Sequence, residues 1–171
     1  MFNFFKKKEP QLSGSEMALL SLNHLATAIR NNEIDLQRGN LFEDVYLHVD
    51  KPQDRVRFTY VIFSPTEQNK PIAKLSCITR GAHENAPLWD VDWAVDPKYQ
   101  GKKWGLTIAV KASEEFKNGM RGKYPNGYWL EAIVDDANEP SKIIASRIIG
   151  GLEIIKTKTN NNVFNYRNHF E

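Results

Sequence analysis

Cysteine is nearly missing from this chain: Cys77 stands alone among 171 residues. A disulfide within the chain is impossible, and a cysteine-rich zinc site is excluded. Cys77 lies in an apolar-alternating run and reads as a small buried hydrophobe, in keeping with a reducing cytoplasm. No apolar run approaches the roughly 20 residues that span a bilayer. Histidines are few, and His24, His48 and His169 are scattered without ligand spacing, so no metal is expected. A surplus of charge is missing too. Twenty-three Lys and Arg face 21 Asp and Glu, a net of +2, too little to draw the chain to nucleic acid or an anionic membrane. Any basic site must be local. The opening "MFNFFKKKEP" sets its aromatics before its lysines, the reverse of a signal peptide, and reads as a frayed terminus.

What is present is a composition of 41% hydrophobic and 26% charged residues, that of one globular domain with a real core. Pro10, Ser13 and Gly14 break any pattern, so residues 1–14 read as an arm and 15–171 as a single domain. "SEMALLSLNHLATAIR" predicts a helix with Ser15 as N-cap and a stripe of Met17, Leu20, Leu25, Ala28 and Ile29. "EIDLQR" predicts a short second helix or a turn. "DVYLHV", "RVRFTYVIF", "IAKLSCITR" and "LWDVDWAVD" read as strands of an antiparallel meander, with "GAHENAP" as a loop before the last. In that last strand Trp89, Val91, Trp93 and Val95 share one side. Asp90, Asp92, Ala94 and Asp96 share the other.

The pattern then changes. A helix is predicted from about Trp104 to Phe116, a strand at "YWLEAIV", and a helix at "EPSKIIASRII" closed by Gly150 and Gly151. A final hairpin joins "LEIIKTKT" to "NVFNYRNHF" around "NNN". The order of elements predicts one mixed α/β (α+β) domain.

Between strand and helix lies "VDPKYQGKKWG". A helix N-terminus carries unpaired N–H groups and partial positive charge, and glycines let a backbone approach a phosphate. Val95, Asp96 and Pro97 end the strand, Gln100 and Gly105 bracket the turn, and Lys102 and Lys103 lie within it. With the second stretch, Val134, Asn138, Ser141 and Gly150, the chain resembles the GNAT superfamily of N-acetyltransferases. That family's loop reads Gln/Arg-x-x-Gly-x-Gly/Ala. Lys103 departs from it by standing at the middle glycine. It is harmless if already helical and damaging if its backbone takes φ > 0.

The resemblance covers residues 15–170 and implies a mixed, mainly antiparallel sheet flanked by helices. It implies acetyl-CoA as co-substrate, an amine acceptor and no metal; a homodimer is compatible with it. Gln100, Gly101, Lys102, Lys103, Trp104 and Gly105 would line the pyrophosphate turn. The backbone of Trp93, Ala94 and Val95 would meet the pantetheine arm where the strand splays from "YWLEAIV". Asn138 and Ser141 would approach the cofactor from the second strand's end, unless they are plain turn and N-cap residues. For the carboxylate that takes the amine proton, the candidates are Asp92, Glu131 and Asp90, each with a structural reading beside it. Where the family often has a tyrosine acid, this chain has Ala145. A GNAT-fold acyl-CoA-binding or interaction protein without turnover is the alternative to an enzyme. His83 and Glu84 could line an acceptor cleft or be plain loop.

Overall fold

The computed structural model describes residues 12–156 and 162–171. Among these residues the chain forms helix α1 (Gly14–Arg30), strands β1 (Gln37–Arg38), β2 (Val45–Asp50), β3 (Arg57–Phe63), β4 (Pro71–His83) and β5 (Ala86–Val95), helix α2 (Trp104–Met120), strand β6 (Tyr128–Asp135), helix α3 (Glu139–Ile148), and strands β7 (Leu152–Lys156) and β8 (Asn162–Phe170). All eight strands belong to one sheet in the order β1-β2-β3-β4-β5-β6-β8-β7. Pairing is antiparallel except between β5 and β6.

The alternation in β5 sorts the sheet's two faces. Trp89 and Val91 turn toward α2 and α3 and join Leu75, Cys77, Leu130, Ile108, Ala109, Ala112 and Phe116 in the main core. Phe116 sits at its centre, edge-on to Phe58, Trp89 and Tyr128 with ring centroids at 5.7, 5.1 and 5.8 Å. Such edge contacts add about 0.5–1.5 kcal/mol each beyond area burial. Cys77 is buried as expected, and burial pushes its thiol well up. The opposite face meets α1, whose Ala18 and Leu22 pack on Ala94.

Several expectations are corrected. α1 is capped by Ser13, not Ser15. Glu16 N–H donates to Ser13 Oγ at 3.2 Å and Ser13 N–H to Glu16 Oε2 at 2.7 Å, a reciprocal capping box. Gly14 therefore starts the helix instead of ending an arm; residues 1–11 of the predicted arm lie outside the described residues. The buried stripe of α1 is Ala18, Leu22 and Leu25, whereas Met17 and Leu20 are 54% and 43% exposed. "EIDLQR" contains no helix, only the two-residue β1. "GAHENAP" is not a loop: β4 and β5 run on to a tight turn at Glu84 and Asn85, both at positive φ. α2 continues one turn past Phe116 to Met120. The "NNN" turn falls mostly outside the described residues, but Lys156 pairs with Asn162 across that hairpin.

Candidate functional site

The parallel pairing of β5 and β6 is short: Leu88 with Trp129, Trp89 with Leu130, Asp90 with Glu131. Beyond Asp90 and Glu131 each strand stays bonded on its outer side, β5 to β4 as far as Val95 and β6 to β8 as far as Asp135. The inner edges, Val91–Val95 and 132–135, pair with each other nowhere, so the sheet opens into a wedge. Unpaired strand edges present backbone donors and acceptors to whatever enters. The backbone of Trp93, Ala94 and Val95 lies along that unpaired edge. Trp93 reaches toward α3, its indole N–H donating to Ser141 Oγ at 3.2 Å.

At the wedge's open end the chain turns through Pro97–Tyr99 and Gly101 into α2. Gln100 folds back so that its Nε2 donates to the Val95 carbonyl at 3.1 Å. Gly101 has φ +73 and open space around it. Lys103 is the N-cap of α2, with φ 66 and ψ 3. This decides the question left by the sequence: the middle position of the turn is left-handed, the conformation that favours glycine, and a lysine holds it under strain. No side chain caps this helix end, so its first N–H groups face outward without a side-chain acceptor. Gly105 has another reason to be small. A Cβ there would meet Ile144 Cδ1 at 3.2 Å and Val95 Cγ2 at 3.4 Å, so close packing of helix on strand selects it. Trp104 packs against the core. Lys102 extends along the turn, Nζ donating to the Lys98 carbonyl at 3.2 Å.

Asn138 is the N-cap of α3, its Oδ1 accepting from Ser141 N–H at 3.2 Å, while its Nδ2 donates to Ser15 Oγ at 3.0 Å. Ser141 thus lies in the first turn rather than opening the helix. Both residues flank the wedge.

The three carboxylates come together on the α1 face, where the wedge begins. Glu131 is buried and saturated: Arg80 donates to Oε1 at 2.6 Å, and Arg167 and Asn165 donate to Oε2 at 3.2 Å each. Asp90 lies beside it with Arg80 at 3.3 Å. Its carboxyl is pushed up, chiefly by burial; Arg80 opposes the shift and Glu131 adds to it. Asp92 pairs with Lys74, whose side chain is 0% exposed against 45% for Asp92; Lys74 also donates to Ser76 Oγ at 3.0 Å. Arg80 and Lys74 were not anticipated. Lys74 had a signal, a lysine on the alternate positions of "IAKLSCITR". Arg80 falls on the same alternate positions, next to a register shift between Thr79 and Gly81 that the pattern does not show. A cavity of about 450 Å³ opens over Arg80, Asp90, Asp92 and Glu131, walled by Met17 and Ser21 of α1.

His83 ends β4 edge-on to Trp129 at 4.7 Å, with the exposed Glu84 in the turn beyond. Ala145 is fully buried in α3. Tyr128 and Tyr166 are buried as well, and burial pushes the Tyr128 hydroxyl up to about 12. Among the described residues, no three His, Cys, Asp or Glu side chains cluster as a metal site would require. No helix among them is long and apolar enough to cross a membrane.

No family model matches the sequence, and no curated protein sequence matches it. Solved structures do. A ribosomal-protein-S5-alanine acetyltransferase from Vibrio fischeri aligns over 94% of this chain and 77% of its own, at 16% identity and a TM-score of 0.50. A GNAT-family acetyltransferase from Streptococcus pneumoniae aligns over 67% of each chain at 11% identity and a TM-score of 0.49. The NatC complex bound to Gag peptide and CoA aligns over 97% of this chain and 84% of its own, at 12% identity and a TM-score of 0.49. The mainly antiparallel sheet, the wedge between β5 and β6, and the likeness to the ribosomal-protein-S5-alanine acetyltransferase define the fold class. The chain has the GNAT fold.

Proposed function

We propose that this chain transfers an acetyl group from acetyl-CoA to an amine. The observation that carries the reading is the wedge between β5 and β6, which starts at the Asp90–Glu131 pair and so opens beside the acidic cavity. The uncapped start of α2, with left-handed Gly101 and Lys103 before it, suits a pyrophosphate. The unpaired edges suit an amide-bearing arm. The residues present therefore fit acetyl-CoA as the co-substrate.

In this reading a neutral amine attacks the thioester carbonyl carbon, an N–C bond forms and the C–S bond breaks. Asp90 or Asp92 takes the amine proton, directly or through water, and the leaving thiolate takes a proton from water. Asp90 stands at the vertex of the wedge, opposite Glu131 in the last β5–β6 pair, and burial pushes its carboxyl up. Glu131 is recast from base to positioning residue: with both oxygens engaged, it holds Arg80 and Arg167 in place.

Acetyl-CoA is expected to raise the melting temperature, and free adenosine to raise it less. No shift at millimolar acetyl-CoA sinks the reading. Thiol release with an amine panel then separates an enzyme from a CoA-binding protein without turnover. The strained Lys103 and the absent tyrosine keep that second reading in view.

A further inference from the structure

A second cavity, of about 350 Å³, lies along the same flank of α1, lined by His24, His48, Asp50, Arg57 and Thr59. Met17 and Ser21 line both cavities. The strand register joins them. Asp50 lies opposite Arg57, Arg57 opposite Ile78, Ile78 opposite Asp90, and Asp90 opposite Glu131. These residues form a row straight across β2, β3, β4, β5 and β6. A second row, His48, Thr59, Ser76 and Asp92, runs beside it. Between the cavities the floor is a polar chain: Thr59 Oγ1 lies 3.4 Å from Ser76 Oγ, which accepts from the Lys74 ammonium, which pairs with Asp92. The two cavities are the ends of one groove that follows α1 across the strands.

Four inter-strand spacings of about 4.8 Å make the groove roughly 19 Å long. An extended chain advances about 3.3 Å per residue, so about six residues span it. Its charge is uneven. At the wedge end Asp92 pairs with Lys74, but the ammonium is fully buried while the carboxylate reaches solvent, and Asp90 shares the single Arg80 with Glu131, so the accessible face there offers carboxylates to an ammonium or amine. At the far end Asp50 is neutralised by Arg57, which donates to its two oxygens at 2.9 and 2.5 Å, and His24 and His48 stand nearby. A linear polyamine would need acidity along the whole groove and finds none at that end. Met17 and Leu20, both exposed, add an apolar rim to the polar floor, a mixture suited to varied side chains.

Resting on the acetyl-transfer reading, we propose that the acceptor is the amino-terminal segment of a polypeptide. Its α-amine lies at Asp90 and Asp92, and the following residues run along α1 toward Arg57.

The test is thiol release from acetyl-CoA with unblocked peptide amides of one to eight residues, beside spermine and compact amines. The ratio kcat/KM is expected to rise at least tenfold from one residue to about six and to level beyond. In His24→Trp, which narrows the far cavity from the exposed side of α1, the six-residue to one-residue ratio is expected to fall at least fivefold. A flat length profile, or a preference for spermine, overturns the proposal. Calorimetry of the same peptides with CoA present reads the groove apart from turnover. Length-dependent binding without thiol release upholds the groove and overturns acetyl transfer. Thiol release from compact amines without length dependence does the reverse, and neither signal overturns both.

Discussion

At Lys103 the backbone stands at φ 66 with no side-chain bond to hold it there. A left-handed L-residue costs about 1–2 kcal/mol, while a glycine gives back about 0.5–1 kcal/mol through its freer unfolded chain. Strain wins, so Lys103→Gly is expected to stabilise the protein by about 0.5–1 kcal/mol in chemical denaturation. Gly101→Ala, at φ +73, is expected to destabilise it by a similar amount. If the turn holds a pyrophosphate, Lys103→Gly will also keep or improve acetyl-CoA binding. Asp90 is the second residue whose environment makes a prediction. Its folded carboxyl titrates above the ordinary range because burial outweighs Arg80. The folded state therefore holds the proton more tightly than the unfolded one, and stability falls as pH rises from the ordinary carboxylate range through the raised value. Asp90→Asn removes that penalty. Its melting temperature is expected to exceed the parent's at pH 7, with the gap closing toward pH 3.

Between elements, buried carboxylates organise this protein. Glu115 of α2 is buried and accepts N–H bonds from Asn40 at 3.0 Å, Leu41 at 2.7 Å and Phe42 at 2.9 Å, which ties the segment before β2 to the helix. Gly39 is a glycine because a Cβ there would strike Glu115. Glu115→Ala strips three backbone donors of their acceptor and is expected to cost about 3 kcal/mol, and Glu115→Gln less, since one carbonyl oxygen remains. The Lys74–Asp92 pair is asymmetric in a way that bears on the site. Asp92→Asn leaves a fully buried ammonium with an amide oxygen and a hydroxyl but no counter-charge and is expected to cost about 3 kcal/mol; Lys74→Met leaves a carboxylate that still reaches water and is expected to cost less. Activity lost in Asp92→Asn alone therefore mixes chemistry with stability. The Lys74→Met/Asp92→Asn double variant, compared with Lys74→Met, isolates the carboxylate; unchanged activity between them removes Asp92 as the base. Most of these elements were legible in advance. The alternation of "LWDVDWAVD" showed which residues face which side, and the helical spacing of Ile108, Ala109, Ala112 and Phe116 matches their place in the core. α1 was misjudged because its true face uses the small Ala18 and leaves the larger Met17 and Leu20 outward, where they rim a groove.

For the whole molecule, the wedge is the feature from which function follows. Occupation of it is expected to slow hydrogen exchange at residues 91–95 and 132–135 when acetyl-CoA is added, and to leave β2 unchanged. Equal protection at both places would show general stabilisation instead. The sequence by itself determined the element order apart from β1, the two-sided alternation of β5, and the turn whose glycines and lysines mark the start of α2. These depend on local periodicity and turn chemistry, which a few neighbouring residues carry. Only the tertiary structure decided that Lys103 is left-handed, that Glu131 is held by Arg80 and Arg167, and that Lys74 is buried against Asp92. It also decided that α1 turns two cavities into one groove. Those outcomes join residues dozens of positions apart, through strand register and a bulge, and no local pattern encodes which partners a buried charge will find.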